Sequence, residues 1–524
     1  MDRLKRKKIG DLCDLIANLG HEGGQMSPSI YDTAQLLRFC PPDEGVEPAL
    51  NWLAECQMSD GGWGSNIRSH TREIPTIAAL LAFAAYPSFE KSNEVIERGL
   101  NFLQHHHSKW EAIVPEDLPV GMELILPKLL SEAEQYGLDI PQDHYQNLVP
   151  IYHKKINFIR TMPLGAGSSP TFSWESWGED PDKKWIDPVA GVGHSPSATA
   201  YWAYLAKDNP SLQIEREQAL TYLASAANAT LTGIPGVVPT AWPITRFEQS
   251  FVLYTLLMAD LLDHPDLAAV VEEQLEDLYS GIRPNGYGFT DVFNTDGDDT
   301  GAAAAVFCAS GKRVNPKMLE YFAHENHYVT YPGELQASHT VTARMLYALR
   351  SLDFETTLAE QFLLSHQLPS GAWPADKWNI SQYHGTCLAV FALKDRVDLY
   401  RERLEKAAEF LVKSQLPNGG WGPLESSSVT DTAYALVSMY LLVNAGIVSA
   451  DAFLAGQAWL DAQYSSKSNE VGIDMFWLNK QEYSPFKVDQ AFQLAASIIS
   501  PKLAQASDDV YHVLTGDPPE LRAN

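Results

Sequence analysis

Positive charge is scarce in this chain. Its 38 lysines and arginines stand against 66 aspartates and glutamates, a formal charge of −28 over 524 residues. Such a surface repels a phosphate backbone, so nucleic acid is excluded as a general partner. Cysteine is scarcer still. Cys13, Cys40, Cys56, Cys308 and Cys387 are odd in number and widely scattered. That pattern gives neither a disulfide framework nor zinc-site spacing, and it fits free thiols in a reducing cytosol. No apolar run reaches the roughly 18 residues a spanning helix needs. The basic RLKRKK at 3–8 lacks the apolar stretch of a secretory signal. Alternating strand patterns are also rare. These absences together predict a cytoplasmic protein without a transmembrane segment, built from two or three domain-sized helical cores.

What the chain has in quantity is amphipathic helix. TIAALLAFAAY, QSFVLYTLLMADLL, VTARMLYAL and TAYALVSMYLLVNAG carry apolar residues at helical period. A second pattern recurs between such stretches. A helix ends in Gln, and a short Gly-rich turn delivers Trp six residues later. It is found in WLAECQMSDGGWG (Gln57, Trp63), FLLSHQLPSGAW (Gln367, Trp373) and FLVKSQLPNGGWG (Gln415, Trp421). FLQHHHSKW (Gln104, Trp110) is a variant without the glycines. Repetition of one supersecondary unit predicts stacked or ringed helical pairs. Gln would bond the end of a neighbouring helix and Trp would pack over its last turn, as structural staples. The fold class is therefore all-α, with two α/α barrels. The Gly/Pro-rich segment 163–196 reads as a long loop on a functional face.

The densest chemistry lies in FNTDGDDTGAAAA, where Asp296, Asp298 and Asp299 form a D-x-D-D tetrad. Three carboxyl groups in four residues cannot all ionise cheaply, and apolar surroundings raise their pKa values further. The tetrad can therefore keep a carboxylic acid protonated at neutral pH, as protonation of a carbon–carbon double bond requires. Two other readings compete. A calcium loop with Gly297 at its sixth position would put Val292 first and Ala303 twelfth, where carboxylates are needed, so that reading fails. A helix cap, made by Asp298 or Asp299 ahead of TGAAAAVFCA, stands beside the catalytic reading on spacing alone.

Several segments decide between them. SPSIYDTA (27–34) resembles SxSAYDTAW, and EDLPVGMELILPKLL (116–130) resembles MPxGFExxFPSLL. SPSATA (195–200) and the DKW of DKWN (376–379) match as they stand. PGVVPTAWPITRFE (235–248) resembles GGVPNVYPVDLFE, and VTDTAYAL (429–436) resembles EETAYAL. In this order, and with DGDD and the Gln…Trp turns, they make the chain similar to the class II terpene cyclases. The nearest type is that of bacterial copalyl and kolavenyl diphosphate synthases.

The resemblance implies a βγ arrangement of two α/α barrels with the active site between them. Residues 1–24 would give the first helix of the β domain, 25–225 an inserted γ domain, and 226–524 the rest of the β domain. No α domain is expected: DDVYH (508–512) lacks the third carboxylate of a DDxxD motif, so the substrate's diphosphate should survive. The implied reaction is cyclisation of geranylgeranyl diphosphate, begun by Asp298 as general acid with Asp296 and Asp299 tuning it. Phe172, Trp174 and Trp242 would line the substrate pocket, and Lys377 and Trp378 of DKWN would lie near the diphosphate. Magnesium is the implied cofactor. Glu111 falls at the first position of the family's acidic motif, but Ala112 replaces its second acid, which leaves Glu116 or Asp117 as substitutes. A downstream class I terpene synthase or a phosphatase would act on the product.

One departure bears on the product. Plant ent-copalyl synthases hold a catalytic water between a His of LHSLE and an Asn of PNV. Phe172 and Thr240 stand at those places here. Phenylalanine cannot take a proton, so the bicyclic cation should persist and rearrange, giving kolavenyl diphosphate. Copalyl diphosphate is the alternative product, and farnesyl diphosphate or squalene the alternative substrates. An α/α-barrel glycosidase and a toroidal binding protein remain the readings from other classes.

Overall fold

The computed structural model describes residues 3–106, 119–334, 337–466 and 474–502. The apolar stretches build two closed rings of helices. In the larger, Thr245–Met258, Gly297–Ala309, His339–Ser351, Gln382–Leu393, Val429–Asn444 and Phe486–Ile498 each pack against the next, and the last returns to the first. Ala268–Ser280, Thr357–Ser365, Val397–Ser414 and Asp451–Ser466 run outside this ring. So does Arg3–Ala17, from the start of the chain, which lies on Phe486–Ile498 and Ala268–Ser280.

Composition sorts the two layers. An inner helix is covered on all sides and must be apolar all round. Val429–Asn444 accordingly buries every residue from Thr430 to Leu442. The outer helix Val397–Ser414 buries a single stripe, Leu404, Ala407, Ala408, Phe410 and Leu411.

The smaller ring is made by Ile30–Phe39, Glu73–Ala85, Met122–Gln135, the 3-10 segment Ser169–Ser176 and Pro196–Leu205. Glu47–Glu55, Ser92–His105, Leu148–Thr161 and Gln213–Asn228 lie outside it. The segment 163–196 is thus more than the loop its glycines and prolines suggest. Its central turns take one place in the ring, and Thr171, Trp174 and Ser176 are buried there. The cores follow the rings. Ile9, Leu12, Leu15 and Ile16 share a core with residues from 241 to 499, while most of the buried apolar residues between 30 and 238 form separate clusters. Phe172 is the exception: it belongs to the larger barrel's core although the smaller barrel carries it. Strand is confined, among the described residues, to Ala323–His324 with His327–Tyr328 and Trp477–Leu478 with Glu482–Tyr483.

The Gln…Trp turns share one geometry. Gln57, Gln367 and Gln415 each donate from Nε2 twice. One bond goes to the turn's own glycine carbonyl (2.8, 2.9 and 2.7 Å). The other goes to the following outer helix at Val95, Arg403 or Ala452 (3.0, 2.9 and 2.8 Å). Trp63, Trp373 and Trp421 each donate from Nε1 to the last turn of the preceding helix, all at 2.8 Å. The glycine is required. A Cβ on Gly371, whose φ is +97°, would lie 2.1 Å from the Lys406 carbonyl oxygen.

Candidate active site

The tetrad opens the inner helix Gly297–Ala309. Asp296 is the cap, since its Oδ1 accepts from the Asp299 amide at 2.8 Å. The sequence left this role to Asp298 or Asp299. The difference matters, because Asp296 takes the cap and Asp298 is free for other work. Gly297 fits where no side chain would: a Cβ there would meet the Val329 carbonyl oxygen at 2.2 Å. The alanines that follow allow close helix packing, and Gly301 sits against Met345 and Arg344.

The three carboxyl groups then differ in surroundings. All three line the same cavity, but Asp298 is 8 % exposed against 1 % for Asp296 and Asp299, so it is the most open to it. Burial, with the charges of Asp299 and Asp298, drives the Asp296 pKa far above the usual carboxylate range. Burial raises Asp299 to about 6, opposed by hydrogen bonds from Ser250 (2.7 Å) and Asp296. Burial also raises Asp298 to about 6, against the pull of Arg344 and with Asp376 adding to the rise. Asp296 therefore keeps its proton most firmly, while Asp298 is a stronger acid than Asp296 and the most exposed of the three.

The cavity walls are aromatic. Phe247 and Phe251 meet Trp477 edge-on, with centroids 5.7 and 5.5 Å apart, and Phe289, Tyr331, Trp378 and Tyr483 complete the lining. Such walls exclude water and present ring faces to a cation. The cavity volume is about 30 Å³, room for water and not for a prenyl chain, so a substrate must displace the walls. A larger hollow of about 200 Å³ lies on the smaller barrel at Ile156, Trp177 and Trp185, but no carboxylate lines it.

The other sequence candidates are dispersed. Trp378 lines the cavity, its Nε1 donating to Thr330 Oγ1 at 2.8 Å. Lys377 is buried beside it in an ion pair with Glu334. Phe172 is buried at the junction of the barrels, with Lys480 Nζ 4.5 Å from its ring. Thr240 is buried, and its hydroxyl has no hydrogen-bond partner among the described residues. Trp174 lies in the core of the smaller barrel, against Trp177, Trp185 and Tyr201, because the 3-10 segment turns it inward. Trp242 packs on Tyr222 (5.4 Å) and donates to the Glu22 carbonyl, so neither tryptophan reaches the aspartates' cavity. Glu111, Glu116 and Asp117 lie outside the described residues.

Sequence reasoning missed three groups. Arg344 donates from Nη1 to Asp298 Oδ1, and His384 Nε2 lies 3.3 Å from its Nη2. Lys480, at the turn between Trp477–Leu478 and Glu482–Tyr483, crosses to the smaller barrel. There it donates to Glu175 (2.8 Å), Ser195 (2.6 Å) and Ser197 (2.7 Å). A signal existed for Arg344 in its setting: a lone cation inside the apolar stretch VTARMLYAL needs a buried partner.

Known proteins resemble this chain as a whole. Residues 322–482 match the family described as Squalene-hopene cyclase C-terminal domain. The chain is 39% identical over 508 residues to (+)-kolavenyl diphosphate synthase of Herpetosiphon aurantiacus, covering 94% of this chain and 97% of that protein. The chain belongs to the class II diterpene cyclases. Terpentedienyl-diphosphate synthase of Kitasatospora griseola is 26% identical, covering 88% of this chain and 95% of that one. The structure of ent-copalyl diphosphate synthase from Streptomyces platensis superposes with a TM-score of 0.74 at 23% identity, over 94% of this chain and 99% of that chain. The pair of α/α barrels is thus the fold of this cyclase. Membership sets aside the glycosidase and binding-scaffold readings. Among the described residues, no helix is long and apolar enough to cross a membrane.

Proposed function

We propose that this cyclase acts on geranylgeranyl diphosphate, with Asp298 donating the initiating proton, and releases kolavenyl diphosphate. The observation that supports the acid assignment is that Asp298 is the most exposed of the three aspartates lining the aromatic cavity, while a guanidinium holds one of its oxygens. Protonation of the terminal alkene leaves a tertiary cation, which successive double bonds trap as two rings. The relative from Herpetosiphon aurantiacus favours the rearranged product. So does Phe172, which cannot accept a proton where plant enzymes are similar but carry His. Thr240 adds a hydroxyl but no base.

Lys377 suits the diphosphate as a point charge once Glu334 exchanges partners. Magnesium would bridge that diphosphate to one or two carboxylates. Its expected ligands, Glu111 and Glu116, are outside the described residues, and no group of three or more metal-binding side chains occurs among the described ones. We place the enzyme in the cytoplasm. A separate class I synthase or phosphatase must follow it, because nothing in this reaction breaks the diphosphate ester.

The test is incubation with geranylgeranyl diphosphate and magnesium, phosphatase treatment, and identification of the alcohol by mass spectrometry and NMR. Kolavenol from wild type and none from Asp298→Asn is the expected result. Copalol would retain the acid and remove the product reading. Turnover of farnesyl diphosphate or squalene alone would remove the substrate reading.

A further inference from the structure

Arg344 lies midway along the inner helix His339–Ser351 and is 2 % exposed. A guanidinium so placed is very costly unless paired. It has three neighbours. Nη1 donates to Asp298 Oδ1, Nη2 lies 3.3 Å from His384 Nε2, and Cζ lies 4.6 Å from the centre of the Phe251 ring. Burial and the nearby guanidinium hold His384 well below the usual histidine range, so the imidazole is neutral and accepts from Arg344. His384 is itself held between Tyr434 and Trp477, with ring centroids 5.0 and 5.2 Å away. The fork is thus fixed in one orientation. A pair that served only to neutralise buried charge would do as well on Asp296 or Asp299. Arg344 instead takes the most exposed of the three aspartates that line the cavity, and by occupying Oδ1 it leaves Oδ2 open to a substrate.

We propose that Arg344 is a positioning residue for the proton transfer, orienting Asp298 and stabilising the carboxylate that remains when the proton has gone. This rests on the reading of Asp298 as the acid. In the step, the Asp298 O–H bond breaks and its electron pair stays on the carboxylate. The alkene's π pair forms the new C–H bond, and positive charge appears on the adjacent carbon. Negative charge on Asp298 therefore grows along the reaction coordinate, and the guanidinium gains most where that charge is largest. Before the step it opposes protonation. Burial offsets this, together with the charges of Asp376 and Glu334 from neighbouring loops; on its own side of the cavity Asp296 is neutral and Asp299 is raised to about 6. Tyr483, from the hairpin, is neutral, its pKa raised by burial. Lys377 is engaged by Glu334.

The pH dependence of kcat and KM for geranylgeranyl diphosphate separates this role from simple packing. Without Arg344 the acid holds its proton to higher pH but gives it up less readily. In Arg344→Gln the alkaline fall of kcat/KM should move up by about one pH unit or more, and the low-pH plateau of kcat should drop about tenfold, with KM changed by less than about threefold. Arg344→Lys keeps the charge without the fork. It should shift the same limb by less and recover most of the plateau, which keeps the test open if the glutamine variant misfolds. An unmoved limb in both variants, beside an inactive Asp298→Asn, would overturn the role alone. Wild-type turnover in Asp298→Asn would remove the acid assignment and this role with it.

Discussion

The sharpest consequence of the site is an unusual pH dependence. As the proposed acid, Asp298 must be neutral to act, and burial places its pKa at about 6. The protonated fraction is then about one half at pH 6, about one tenth at pH 7 and about one hundredth at pH 8. At substrate concentrations far below KM, kcat/KM should follow that fraction, losing about tenfold per unit above pH 7. The assay is initial velocity with geranylgeranyl diphosphate and magnesium in a mixed buffer of constant ionic strength, with the product alcohol quantified after phosphatase treatment. Constant kcat/KM between pH 6 and 8 would refute the reasoning, because the donated proton would then belong to a group that stays protonated throughout. Asp296 is the group in the tetrad that would do so.

Stability should also fall as pH rises, the reverse of ordinary acid denaturation. Burial raises Asp489 and Glu482 to about 7 and Asp431 to about 8, so the folded state binds protons more tightly than the unfolded state, and stability is lost between about pH 4 and 8. Shifts of this size correspond to roughly 3–6 kcal/mol per group, and a melting temperature higher at pH 5.5 than at pH 8 is the expected reading; the opposite order would refute the linkage. Gly297→Ala must push the helix start off the Val329 carbonyl, 2.2 Å from the new Cβ. Overpacking of this kind costs about 1–3 kcal/mol, and displacement of Asp298 should lower kcat as well, so a variant with wild-type melting and turnover would show that the contact is easily relaxed. Trp421→Ala removes a fully buried indole and its bond to Leu411, a loss of about 3–5 kcal/mol by urea denaturation; a loss below about 1 kcal/mol would mean the turn is not a staple.

The rings were legible because the physical signal for an inner helix is strong. QSFVLYTLLMADLL and TAYALVSMYLLVNAG carry apolar residues too long for one face, so such helices have to be enclosed by others. The Gln…Trp turns were legible for a different reason, since a repeated spacing fixes a repeated geometry. The tetrad was legible as chemistry but not in its division of labour. Which aspartate caps and which faces a cavity depends on where the helix begins, and a shift of two residues exchanges the roles of Asp296 and Asp298. The directions of the tryptophans in 163–196 and 235–248 were not legible, because an aromatic in a Gly/Pro-rich segment carries no periodicity to say which way it points. The 3-10 turns set that direction for Trp174. Arg344 marks the clearest limit. VTARMLYAL reads as a core helix, and so it is. Yet a guanidinium in a core helix, inside a closed ring, has to find a carboxylate on a neighbouring inner helix. Many carboxylates in this sequence could serve, and only the coordinates show that it is Asp298.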